Sequence, residues 1–136
     1  MYEIFAHTAD LGIRVQADDL SKLFADAARG LFAVIGGDLR DIRTSQMVEF
    51  KIAGREKDYL MLDWLSELLF TFETRHLLLS EFAVSVDDEG LAAQARGELF
   101  DASRHRLEHE VKAITYHGLK VEPTDGGWVA EVIVDI

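Results

Sequence analysis

The sequence predicts an α+β fold, a single domain with two main amphipathic helices packed on mostly antiparallel β-strands. Three observations carry that expectation. Two long segments repeat apolar residues at helical spacing, several shorter runs alternate apolar with polar residues, and clusters of Gly, Asp and Pro separate them. The 136 residues suit one domain, residues 1–136, large enough to bury a core without staples. Hydrophobic residues at 49% and charged ones at 29% give globular usage, far from the composition of a disordered chain.

Along the chain, "HTADLGI" reads as a polar turn entering an alternating run through Ile13 and Val15. "LSKLFADAARGLFAVIGG" then places Leu20, Leu23, Phe24, Ala27, Leu31 and Val34 on one helical face, with Asp18 or Asp19 as N-cap and Gly36-Gly37 as the stop. In "QMVEFKIAG", Val48, Phe50 and Ile52 alternate with Glu49 and Lys51, as in a half-buried strand. The second helix, "KDYLMLDWLSELLFTFETR", carries its apolar period through Leu60, Trp64, Leu65, Leu68 and Phe72, and is expected to be the central packed helix. "FAVSVDDEGLAAQARGEL" reads as a hairpin turning near Asp88, Glu89 and Gly90. "EVKAITYHGL" looks like a strand ending at its glycine, and "LKVEPTDGGWVAEVIVDI" like a second hairpin, turning at Pro123, Asp125 and Gly126-Gly127.

Charge narrows the function classes. Lys+Arg 14 against Asp+Glu 25 leaves a net charge of −11 and a pI near 4.7. Direct, stable binding of RNA or DNA is disfavoured, because such binding draws on cations that displace phosphate counterions. A basic protein partner or a metal cation suits the chain better. The absence of cysteine excludes disulfides, thiolate nucleophiles and thiolate metal sites. "MYEIFAHTAD" lacks a basic, then apolar leader, and the stretch around "YLMLDWLSELLFTF" is interrupted by Asp63, Ser66 and Glu67, so a cytoplasmic protein without membrane contact is expected.

Candidate chemistry lies in carboxylates. Asp10 stands in the polar turn, where side-chain and backbone oxygens converge; by itself it reads as a turn former. In "WVAEVIVDI" the strand period sets Trp128, Ala130, Val132, Val134 and Ile136 on one face and Glu131, Ile133 and Asp135 on the other. Asp135 is beside the carboxylate of Ile136. Joined in space by Asp10, these groups would form an oxygen cluster suited to Ca²⁺ or Mg²⁺ rather than Zn²⁺. The competing reading is a frayed end with solvated charges.

Asp63 and Glu67, spaced i, i+4, share a helix face among apolar neighbours. They suit a metal or partner site, an acid/base pair, or a structural role satisfied by amides, Ser66 or a cation. Of the five histidines, only His105 and His109 have a clamp spacing, and that needs a helix. "HEVKA" fails the HExxH zinc pattern at Ala113, and no Walker A loop, GxGxxG fingerprint or GxSxG elbow is present.

Four stretches, "YEIFAHTADLGI", "LDWLSELLF", "EVKAITYHGLKV" and "GGWVAEVIVDI", together resemble the signature blocks of the archease family, in order and across nearly the whole chain. The departure is Ser66, where Asn is expected. The resemblance implies an acidic protein cofactor, not itself an enzyme, of the RtcB-type RNA ligase in tRNA splicing. Such a protein promotes guanylylation of the ligase histidine and multiple turnover. It further implies a divalent-cation site at Asp10, Asp135 and Ile136, with Ca²⁺ foremost and Mg²⁺ or Mn²⁺ as alternatives. Lys112 is implied in ligase activation, with His7, Asp63, Glu67 and His117 as supporting candidates. Two other classes stay in view: a general chaperone or protein-modulating module displaying an apolar patch, and a small hydrolase using Asp63 and Glu67.

Overall fold

The computed structural model describes all 136 residues. Its elements run β1 (Tyr2–His7), β2 (Asp10–Ala17), α1 (Leu20–Gly36), a 3-10 turn (Leu39–Asp41), β3 (Gln46–Ala53), α2 (Lys57–Arg75), β4 (Leu77–Val86), β5 (Gly90–Leu99), β6 (Ala113–Thr124) and β7 (Gly127–Asp135). Four strands form one sheet in the order β1-β2-β7-β6, and three form another in the order β3-β5-β4. Every pairing is antiparallel. This is the α+β class that the hydrophobic periods predict.

The helices lie between the sheets. α1 touches β4 on one side and β1, β2 and β7 on the other, while α2 packs on β6 and on all three strands of the smaller sheet. A single cluster of 34 buried residues runs through both sheets and both helices. Ten residues of α1 are buried against seven of α2, so α1, rather than the expected α2, is the more enclosed helix. Trp64 joins them: its ring is fully buried and its Nε1–H donates to the Phe24 carbonyl at 3.0 Å. The α1 ends follow their sequence signals. Asp19 accepts from the Lys22 N–H at 2.8 Å, and Gly37 closes the helix at φ 78°.

The placement of β7 decides where the site lies. Val132 and Val134 are buried in the core and Ile133 is buried on the opposite face, where Glu131 and Asp135 stay partly exposed. The last strand inserts between β2 and β6, next to the start of the chain. β6 does not end at Gly118, as the sequence suggested, but runs on to Thr124. The pairing register jumps from Thr115↔Ile133 to Lys120↔Glu131, so Tyr116–Leu119 bulge out opposite Val132, with Gly118 at φ 67°. A glycine that looks like a stop is the hinge of a bulge.

Candidate functional site

The four-stranded sheet assembles a polar row at one end. His7 pairs with Asp10 across the β1–β2 hairpin. Leu11 pairs with Val134, so the next step of the same register sets Asp10 beside Asp135. Asp135 pairs in turn with Ala113, and the Lys112 N–H donates to the Asp135 carbonyl at 2.7 Å. Residues opposite one another in such a sheet share a face. Because Val134 points into the core, the row of His7, Asp10 and Asp135 faces away from the helices.

The chain end is anchored, not frayed. Ile136 packs its side chain against the core and Asp135 is the last residue of a paired strand. The turn between His7 and Asp10 is strained, since Thr8 has φ 30°, a left-handed value costly for a β-branched residue. The central position of β2 holds it in place.

Below the row lies an apolar strip, and below that a ladder of charge. The Phe5 ring lies over Gly12: a Cβ there would stand 2.1 Å from Phe5 Cζ, so the close approach needs glycine. Next, Arg14 Nε and Nη2 donate to Glu131 at 2.9 and 2.7 Å, and Nη1 donates to Glu3 at 2.8 Å. Lys120 Nζ stands 3.2 Å from the other Glu131 oxygen, and the Arg14 guanidinium is 4.8 Å from the Phe5 ring centre. Hydrogen bonds from Arg14 hold the Glu131 carboxyl below its usual range, against partial burial and with help from Lys120. The ladder thus keeps Arg14 and Lys120 engaged among themselves. Asp10 and Asp135 take part in no ion pair or side-chain hydrogen bond.

The donors at this end fit a hard divalent cation in kind: two half-exposed carboxylates on adjacent strands, with backbone and Ile136 oxygens beside them. His7 Nδ1 is buried without a hydrogen-bond partner in the same row. No three Asp, Glu or His side chains stand together at metal-holding spacing. Two carboxylates do not complete the shell of a hard divalent cation, so a cation held here would need backbone oxygens as well.

The remaining candidates separate from the row. Asp63 and Glu67 share an exposed face of α2 and belong to no ion pair, and neither lines the open depression of about 540 Å³ on the β3-β5-β4 sheet. His117 is exposed in the β6 bulge, beside Tyr116, whose ring stacks on Tyr59 at 5.1 Å and 8°. The His105 and His109 clamp does not form, because residues 105–109 are not helical. His105 is instead buried, with Nε2 3.1 Å from Glu98. Sequence reasoning passed over Glu98, Phe5, Gly12 and Arg14; the one available signal was the Arg14 and Glu131 alternation on facing strands.

The Archease protein family (MTH1598/TM1083) matches residues 2–136. The chain belongs to the archease family. Protein archease of Methanopyrus kandleri is 42% identical over 139 residues, covering 99% of both chains. That of Pyrococcus furiosus is 36% identical over 140 residues, covering 99% of this chain and 98% of its own. The solution structure of Methanobacterium thermoautotrophicum protein 1598 superposes with a TM-score of 0.87 at 34% identity, over 99% of this chain and 98% of the other. An archease of Thermotoga maritima, described as a possible chaperone, shares the fold with a TM-score of 0.65 at 19% identity, over 100% and 98%. The archease fold thus accounts for both sheets and both helices. No helix is long and apolar enough to cross a membrane.

Proposed function

We propose that this archease is a protein cofactor of an RtcB-type tRNA-splicing RNA ligase, promoting guanylylation of the ligase histidine and multiple turnover. The observation that carries this reading is the meeting of Asp10, Asp135 and the Lys112 backbone at one end of the sheet, with both carboxylates free of partners. Carboxylates so placed are kept for something outside the chain. A divalent cation bound there supplies positive charge for nucleotide phosphates, and Ca²⁺ is the first candidate, with Mg²⁺ and Mn²⁺ behind it.

The chain's own residues have three tasks. Asp10 and Asp135, with oxygens of Ile136, hold the acidic row rigidly on paired strands. Lys112, exposed beside Asp135, offers a mobile cation to an anionic group of the ligase complex. The net charge of −11 steers the protein toward the cationic nucleotide and RNA channel of the ligase, and makes the encounter weaken with salt. The archease itself transfers no group.

The test measures ligase guanylylation and multiple-turnover RNA joining with wild type, Asp10→Ala and Asp135→Ala. Wild type is expected to restore turnover at substoichiometric amounts and both variants to fail while folded. Full activation by both variants removes the acidic row from the mechanism. The chaperone alternative rests on the exposed aromatic pair Tyr59 and Tyr116, 55% and 47% exposed. It predicts instead that aggregation of unrelated clients is suppressed with no ligase effect.

A further inference from the structure

Glu98 and Thr71 are the two polar residues buried as whole residues, and the His105 side chain is buried beside Glu98. A buried carboxylate loses hydration and seldom stabilises more than an apolar side chain of equal volume would, so its presence points to a geometry that has to be unique. Its partners define that geometry. One oxygen accepts from the Arg43 backbone N–H at 2.6 Å and lies 3.1 Å from His105 Nε2; the other pairs with Arg104. His105 Nδ1 accepts from the Asp101 N–H at 2.9 Å, which leaves Nε2 to donate to Glu98. Burial alone would raise the Glu98 carboxyl, but the donors from Arg104, the Arg43 amide and His105 outweigh it and hold the group at about 2.

These groups stand where β5 leaves its sheet and the chain enters residues 100–112, a connection without helix or strand that ends at Lys112. Irregular connections of that length are uncommon in compact domains unless they serve a function. Downstream, the Glu108 N–H donates to the Ile35 carbonyl at 2.8 Å, and Val111 is buried in the core. The Lys112 N–H then closes on Asp135. The segment is therefore fixed at its entry, its middle and its exit.

We infer that the knot of Glu98, Arg104 and His105 is a positioning device for Lys112: it fixes the entry of the 100–112 segment so that Lys112 reaches the acidic row in one arrangement. The inference rests on the activator reading and deepens it. None of the three side chains belongs to the row, so all act through the path of the segment.

The test uses the full chain with Glu98→Gln and Arg104→Ala; the second is nearer the surface and carries the test if the first does not fold. Amide exchange is expected to accelerate roughly tenfold or more at Lys112 and across residues 100–112, while β2 and β7 keep their protection. In the ligase assay, a competent fraction reduced tenfold raises the half-maximal concentration by about tenfold, leaves maximal turnover unchanged, and is partly rescued by Arg104→Lys. Unchanged exchange at Lys112, or wild-type half-maximal concentrations in both variants, overturns the proposal. If wild type fails to activate a competent ligase, the activator reading falls and the exchange result alone decides whether the knot orders Lys112.

Discussion

Two groups of carboxylates in this molecule are treated in opposite ways. Glu98 is buried and receives donors from Arg104, His105 and the Arg43 amide. Asp10 and Asp135 lie side by side at a sheet end, half exposed, with no partner of either kind. A protein that supplies three donors to one carboxylate and none to a pair of like charges has separated two tasks. On the proposed function, the satisfied group shapes the chain and the unsatisfied pair serves a ligand or partner.

The comparison breaks most visibly at the unsatisfied pair. Asp10→Asn and Asp135→Asn are expected to abolish ligase activation, yet to leave stability unchanged or raise it by about 0.2–1 kcal/mol, because like charges opposite one another on neighbouring strands repel. Joined RNA measures the first and thermal unfolding the second. A marked loss of stability would show the pair to be structural.

Glu98 should behave in the reverse sense. Removing it by Glu98→Ala is expected to cost about 3 kcal/mol, since the guanidinium and imidazole lose a buried partner, read from urea unfolding. Its folded pKa, about 2, lies below the ordinary 4.5. The stability this depression contributes is fully present above pH 4.5 and is lost as pH falls toward 2. Glu98→Gln should therefore flatten the decline across that window; a variant with the wild-type slope would show that other groups govern acid unfolding.

How much of this was legible depends on whether a feature is local. Both helices follow from apolar spacing and the α1 caps from Asp19 and Gly37, whereas α2 starts at Glu56 without a side-chain cap and ends on His76, which no sequence signal marked. The terminal hairpin follows from its turn residues. Nothing in the spacing of Asp10 and Asp135 says that they meet: that depends on β7 inserting between β2 and β6. The family resemblance, not periodicity, linked them. Glu98 was illegible because strand alternation fails around it. A register shift between Leu79 and Glu81 accompanies the burial of both Gly97 and Glu98. His105 misled because an i, i+4 spacing means nothing without a helix, and Gly118 because a positive φ serves a bulge as well as a stop.

Smaller effects sharpen the same contrast. Gly12→Ala must displace the Phe5 ring beside the acidic row, at a cost of about 1–3 kcal/mol. Thermal unfolding checks the cost, and an unshifted melting temperature would show that the ring moves freely. His76 caps α2 at φ 55°, and its carbonyl accepts from the Phe100 N–H at 2.7 Å where the 100–112 segment begins. His76→Gly is expected to stabilise by about 0.5–1 kcal/mol and leave activation unchanged.

The most direct measurement is guanylylation of a cognate RtcB-type ligase, with and without this archease, with the Asp10→Asn and Asp135→Asn double variant and Glu98→Gln run in parallel. Rapid guanylylation with wild type, none above background with the folded double variant, and wild-type maximal extent with Glu98→Gln at higher concentration are the predicted results. Equal guanylylation by wild type and the double variant would contradict the claim that the unpartnered pair is what acts on the ligase.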